Sequence, residues 1–208
     1  MVQSKFTPTK MQSLIMFVLS RLEYEVGSVE LAKILYLIDV EKMMLVGNTI
    51  TGDEYTRQKK GPLARSFQSS ISQMNGFETD VKTIKNKGRS GIPKNSHSLG
   101  KRPRFNPDLD AIDIEVANRV LYKIKGLSPI QLERLAYSTE PMKKIIKNET
   151  ELRRSLIGEI LDFNSITLHP IVAKWRENMR QPEPPDKEFE AFLAQEAREI
   201  DQVVASLE

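Results

Sequence analysis

Met11, Leu14, Ile15, Val18 and Leu22 recur at three- and four-residue steps, the period that lines one face of a helix. This predicts a first helix over residues 9–26, stopped by a left-handed Gly27, with Ser28 as the N-cap of the next. In that second helix, over 29–46, Leu31, Ile34, Leu35 and Ile38 form a core stripe, and Ala32 lets another backbone come close. Turn formers then follow Gly47, and residues 53–60 read as a short extended segment ending at Gly61-Pro62. Proline is tolerated at a helix start, so Pro62 is expected to open a third helix over 62–75, with Leu63, Phe67, Ile71 and Met74 on its inner face.

Residues 77–85 mix polar and apolar positions with a period near two, which favours a strand. Residues 86–107 collect Gly88, Gly91, Gly100, Pro93, Pro103 and Pro107, the composition of a long loop or flexible hairpin. A fourth helix is expected from an Asp108 cap to Gly126, with Ile112, Val116, Val120, Leu121 and Ile124 sharing a face. A fifth opens at Ser128-Pro129, buries Ile130, Leu132 and Leu135, and breaks near Thr139-Glu140-Pro141. Two more helical stretches are expected over 149–162 and 169–179. Pro182, Pro184 and Pro185 then form a stiff spacer before an acidic amphipathic helix. The fold class is therefore mainly α: a compact bundle (residues 1–180) with a short hairpin between helices three and four, and an appended C-terminal helix (181–208).

Composition changes this picture little. The 208 residues are 39% hydrophobic and 28% charged, with a mean hydropathy of -0.39, ordinary values for a soluble domain. There is no cysteine, hence no disulfide framework and no thiolate nucleophile, as a reducing compartment permits. The apolar run from Leu14 to Leu19 is far short of a bilayer span and has no small-residue cleavage site after it. A cytoplasmic protein is expected.

Charge is more informative. Between Tyr55 and Pro107 stand twelve Lys or Arg against Glu78 and Asp80, a net +10 in a chain whose total is only +3. Lys82, Lys85, Lys87, Arg89, Lys101, Arg102 and Arg104 form a candidate basic surface for phosphates or for an acidic protein. The last 28 residues are acidic, and Phe189, Phe192, Leu193 and Ile200 form an apolar stripe there, a candidate partner interface.

Catalytic chemistry is hard to assemble from these residues. The two histidines, His97 in the expected loop and His169 beside Pro170, sit in no nucleophile or metal motif, and no glycine spacing cradles phosphate. Asp108, Asp110 and Asp113 read as helix-start acids rather than magnesium ligands. Asp53, Glu54 and Lys59 match a nuclease carboxylate-lysine set only in residue type. No catalytic residue, metal or cofactor is expected.

Two segments carry a resemblance. Leu31-Ala32-Lys33-Ile34-Leu35-Tyr36-Leu37-Ile38-Asp39, then Asp53-Glu54-Tyr55 and Lys60-Gly61-Pro62-Leu63, resemble in order and separation the Panacea domain of SocA-like antitoxins, formerly a domain of unknown function. Ser138-Thr139-Glu140-Pro141-Met142-Lys143 falls where that family usually has a serine or threonine, a histidine and then Pro-Trp, so the chain departs there at Glu140 and Met142. The resemblance covers roughly residues 11–160. Read from the residues, Leu31, Leu35 and Ile38 are core, Tyr36 presents a hydroxyl at its edge, Tyr55 belongs to the extended segment, and Gly61-Pro62 is a turn and helix start.

The resemblance implies an antitoxin that neutralises a co-encoded toxin by direct protein-protein contact, from a family found in prophages and mobile elements and without an accepted catalytic set. It leaves two alternatives: a nucleic-acid-binding regulator using the basic 81–104 segment, or an adaptor delivering a toxin to a protease. Self-association stays open as well.

Overall fold

The computed structural model describes residues 7–22, 24–76, 81–87, 93–99 and 108–180. The chain divides into two units, Met1–His169 and Pro170–Glu208. The first is mainly α with small antiparallel sheets.

Helix α1 (Lys10–Arg21) starts at Thr9, whose hydroxyl accepts from Gln12 N while the Gln12 side chain accepts from Thr9 N, a reciprocal capping box. Its burial is not confined to one face. Every residue from Met11 to Leu19 is buried, Gln12 and Ser13 included. The polar pair is tolerated because Gln12 donates to Gln73 and Ser13 accepts from Asp108 N.

The helix ends earlier than expected. Val26 and Gly27 form a short strand, β1, paired with a later strand β5 (Pro93–Leu99). Gly27 has φ -69°, so it supplies no left-handed stop, and it caps α2 (Ser28–Val46) without a side-chain bond. The Ser28 hydroxyl is occupied elsewhere, on Asn95 O and His97. Helix α2 is also buried without interruption from Leu31 to Asp39, and ends at a left-handed Gly47. Helices sheathed on all sides lie at the centre of a fold, and α1 and α2 do so here.

Strands β2 (Tyr55–Gln58) and β3 (Gly61–Ala64) form a tight hairpin. Gly61-Pro62 therefore opens a strand, and the third helix, α3 (Phe67–Gly76), begins five residues beyond Pro62. Proline without an amide is as acceptable on an edge strand as at a helix start. The sequence pattern alone does not separate the two.

The other edge of β2 is covered by residues 158–161: Arg57 N donates to Glu159 O at 2.8 Å, Gly158 N to Arg57 O at 2.7 Å and Leu161 N to Tyr55 O at 2.8 Å. Those residues were expected to be helical. Instead α6 (Glu140–Leu152) stops at Arg153, which adopts a left-handed φ of 50°.

Strand β4 (Val81–Lys87) pairs antiparallel with β5, giving the order β1-β5-β4. β5 lies inside the stretch expected as a loop or flexible hairpin. Helix α4 (Ala111–Ile124) is capped by Asp110 rather than Asp108, in a box with Asp113. It buries Val116, Ala117, Val120 and Ile124, leaving Ile112 exposed. Helix α5 (Pro129–Tyr137) begins at a Ser128–Gln131 box with Pro129 in its first turn, and buries Leu132 and Ala136 while Ile130 and Leu135 face outward. A single 3-10 turn, Phe163–Ser165, follows α6. In the second unit, helix α7 spans Pro170–Arg180.

Candidate partner-binding site

Charged residues lie on the buried surface of α2: Lys33, Asp39, Glu41 and Lys42 are all nearly inaccessible. Each has a partner, as burial of charge requires. Lys42 meets Asp113 of α4 at 2.6 Å, and Lys10 reaches the other Asp113 oxygen at 3.5 Å. Glu41 takes Arg119 and Lys123, both at 2.8 Å. Lys33 meets Glu133 of α5 at 2.8 Å.

Asp39 has no cationic partner among the described residues. Its carboxylate accepts from Ile50 N at 2.7 Å, from Thr51 N at 3.2 Å, from the Thr51 hydroxyl and from the Tyr55 hydroxyl at 2.9 Å. Burial pushes this carboxyl up from the ordinary aspartate range, against the opposing pull of those donors. The same burial, reinforced by the Asp39 charge, holds the Tyr55 phenol protonated. Asp39 thus fixes the loop after α2 and the first residue of β2.

Tyr36, one helical turn earlier, is fully buried rather than at the core edge. Its hydroxyl lies 2.6 Å from Thr139 Oγ1, and because the Thr139 proton goes to Ala136 O, Tyr36 is the donor. Tyr36, Tyr55 and Phe163 pack as an aromatic trio with centroids 5.3 to 5.8 Å apart. The departures at 140 and 142 are absorbed locally. The Glu140 carboxylate accepts from Thr167 N and its hydroxyl, and Met142 fills a fully buried position.

The tip of the β2–β3 hairpin consists of Lys59 and Lys60, since Gln58 pairs with Gly61. Both lysines keep negative φ, so the positive φ that such a turn needs falls on Gly61, at 116°. A Cβ there would stand 3.2 Å from Lys33 Cε. The lysine stem therefore passes directly beneath the turn while its ammonium is held by Glu133. The hairpin is also held through Arg57. Arg57 lies over the Tyr137 ring at 5.5 Å, donates to the Tyr137 hydroxyl and to Gln58 O, and pairs with Glu149 at 3.5 Å.

Between this hairpin, the start of α2 and the start of α3 is a groove of about 260 Å³. Val29, Ala32, Pro62, Leu63 and Phe67 supply its apolar wall, with Lys59, Lys60 and Gln68 at the rim. Val29 is 39% exposed. Thus Gly61 and Pro62, legible in the sequence as a turn, border an open apolar surface, while Leu31, Leu35, Tyr36 and Tyr55 lie in the interior behind it.

The other candidates are placed differently. Asp53 caps the entry to α3, taking Ser66 N at 2.8 Å and the Ser66 hydroxyl at 2.5 Å, while Glu54 pairs with Arg65. Among the described residues no group of three or more His, Cys, Asp or Glu could hold a metal ion. His97 is not on a surface loop: it is buried in β5, with Nε2 2.7 Å from the Ser28 hydroxyl and Nδ1 3.0 Å from that of Thr83. Lys82 and Lys85 are exposed on β4, and their odd spacing sends them to opposite faces of the strand. Lys87 lies at the end of β4, and nothing is described of its side chain. Arg89, Lys101, Arg102 and Arg104, like Phe189, Phe192, Leu193 and Ile200, lie outside the described residues.

The motifs on α2, the hairpin and the start of α6 all fall within residues 31–142, the segment matched by the family model "Antitoxin SocA-like, Panacea domain". The chain belongs to this family, which gives it a general role in a toxin-antitoxin system. Comparison with curated proteins and with solved structures gave no match. Among the described residues no helix is long and apolar enough to cross a membrane.

Proposed function

We propose that this protein neutralises a co-encoded toxin by direct protein-protein contact, in the cytoplasm, with the groove beside Gly61-Pro62 as the contact site. The observation that supports the reading is an open apolar groove bordered by the family's own Gly-Pro motif and braced by Lys33, whose buried stem lies against Gly61 while its ammonium is held by the exposed Glu133. A rigid scaffold that leaves an apolar recess open beside a fixed turn, with Val29 exposed and Leu63 half-buried along it, is the kind of arrangement from which protein interfaces draw their anchoring contacts. The apolar positions Phe189, Phe192, Leu193 and Ile200 are proposed as a second contact of the same kind.

Neutralisation by contact needs no turnover, and the buried acids and bases of this domain are engaged in holding its elements together. The test is co-expression with the toxin encoded beside it. Wild-type protein restores growth, whereas Val29→Arg or Gln68→Arg, each at an exposed groove position, loses the rescue without lowering the melting temperature. Full rescue by both variants contradicts the site. Rescue lost only on changing Lys101, Arg102 and Arg104 to Ala transfers the function to the basic segment and nucleic acid. Disappearance of the toxin in a protease-dependent manner marks an adaptor instead.

A further inference from the structure

The groove's charge is one-sided. Among the described residues that line it there are two lysines and no carboxylate. Lys59 and Lys60 are exposed at the hairpin tip, and neither has an ion-pair partner among the described residues. By contrast, every buried cation of α2 is paired. The turn that carries the two lysines is held by Lys33 beneath Gly61 and by the contacts of Arg57 with Tyr137 and Glu149, so both stems start from a set place beside the groove.

At about 260 Å³ the groove lies just below the roughly 300–1,000 Å³ of small-molecule pockets. It is suited to one large apolar side chain of a protein, the form that an interface anchor usually takes. Beside such an anchor, a partner would place its next groups at Lys59 and Lys60.

We infer that the groove takes an acidic, apolar segment of the partner toxin, with one apolar anchor seated against Val29, Ala32, Pro62, Leu63 and Phe67 and adjacent carboxylates paired with Lys59 and Lys60. This rests on the direct-contact reading above and specifies the chemistry of what is contacted. A nucleic-acid strand is a poorer fit, because two lysines supply few phosphate contacts and the wall between them carries no further cation. Rim charges act mainly on association rate and on its salt dependence, and at 0.1 M salt their reach is about 10 Å.

The experiment uses the full chain and the purified product of the neighbouring toxin gene, with association measured at 50 and 300 mM NaCl, and overlapping peptides tiling that toxin as a second probe. Expected are a loss of roughly ten-fold in affinity for the Lys59→Glu/Lys60→Glu double variant, about 1.4 kcal/mol, carried mostly by the association rate. Its binding should also lose most of the salt dependence seen with wild type. The peptides retained by wild type should be acidic with a large apolar residue, and the double variant should release them. Unchanged affinity and salt slope in the double variant, or retained peptides that are neutral or basic, overturns the inference. Loss of binding in Val29→Arg together with unchanged binding in the double variant keeps the direct-contact reading and sinks this one. A chain that sediments as a dimer and becomes monomeric on Val29→Arg assigns the groove to a second copy, which also overturns it.

Discussion

Among the described residues the β2–β3 hairpin and the β4–β5 strand pair share an antiparallel architecture and differ in what holds them. β2–β3 is four residues a side with a two-residue tip. Its anchors are mostly polar: buried Asp39 on buried Tyr55, the buried Lys33 stem beneath Gly61, half-buried Arg57 on Tyr137 and Glu149, and the backbone of residues 158–161 along its free edge. β4–β5 is longer, Lys82, Ile84 and Lys85 of β4 are exposed, and the polar ties described for β5 include His97 on Ser28 at the start of α2 and Ser96 on Glu25. The ties described on β4–β5 run to Ser28 and Glu25, whereas those on β2–β3 come from α2, α5, α6 and residues 158–161, so the motif-bearing hairpin is positioned by several elements beside the groove.

The difference can be broken at the first hairpin by Asp39→Ala. It strips the acceptor from two backbone amides and two hydroxyls, and each orphaned buried donor costs about 1–3 kcal/mol, offset in part because the carboxylate no longer needs to be buried. A net loss of about 4 kcal/mol in urea unfolding is expected, a large share of the usual 5–15 kcal/mol. Asp39→Asn, which keeps one acceptor, should lose less. Equal stability of wild type and Asp39→Ala would show that the hairpin is held otherwise.

At the β4–β5 pair the expected effect is smaller and depends on pH. Burial lowers the His97 pKa below its ordinary 6.5, so the unfolded chain takes up a proton at higher pH than the folded one does. Stability from this residue is therefore complete above about pH 6.5 and is lost as pH falls through the folded value. Each unit of lowering corresponds to about 1.4 kcal/mol. Urea unfolding between pH 7.5 and 5 should decline more steeply for wild type than for His97→Gln. The comparison cancels the carboxylates common to both chains. Parallel curves would remove His97 from the account.

Much of this was legible beforehand, for reasons that particular residues show. The mainly α class, the Ser128-Pro129 start of α5 and the Gly47 end of α2 follow from apolar periodicity and local capping chemistry, which need no tertiary context. Pro62 was read as a helix start because its missing amide suits an edge strand equally well. The extended run at 158–161 was read as helix because its conformation is set by pairing with β2, a long-range contact. His97 was read as surface because a polar residue among glycines and prolines looks like loop, while its burial is decided by β1 and Ser28. The buried charges of α2 left a faint signal: Lys33, Asp39, Glu41 and Lys42 stand among the apolar residues of its buried stretch, and a charge in such a place requires a partner. Which partner, Glu133, Tyr55 or Asp113, only the fold reveals.

The central claim is that a toxin is held at the groove beside Gly61-Pro62. Hydrogen-deuterium exchange of the full chain, with and without its co-encoded toxin, tests it most directly. New protection is expected in residues 28–32 and 58–68, with no comparable change on the outward face of α4. Protection confined to α4, or to the basic residues of β4, with residues 58–68 exchanging as in the free protein, would contradict it.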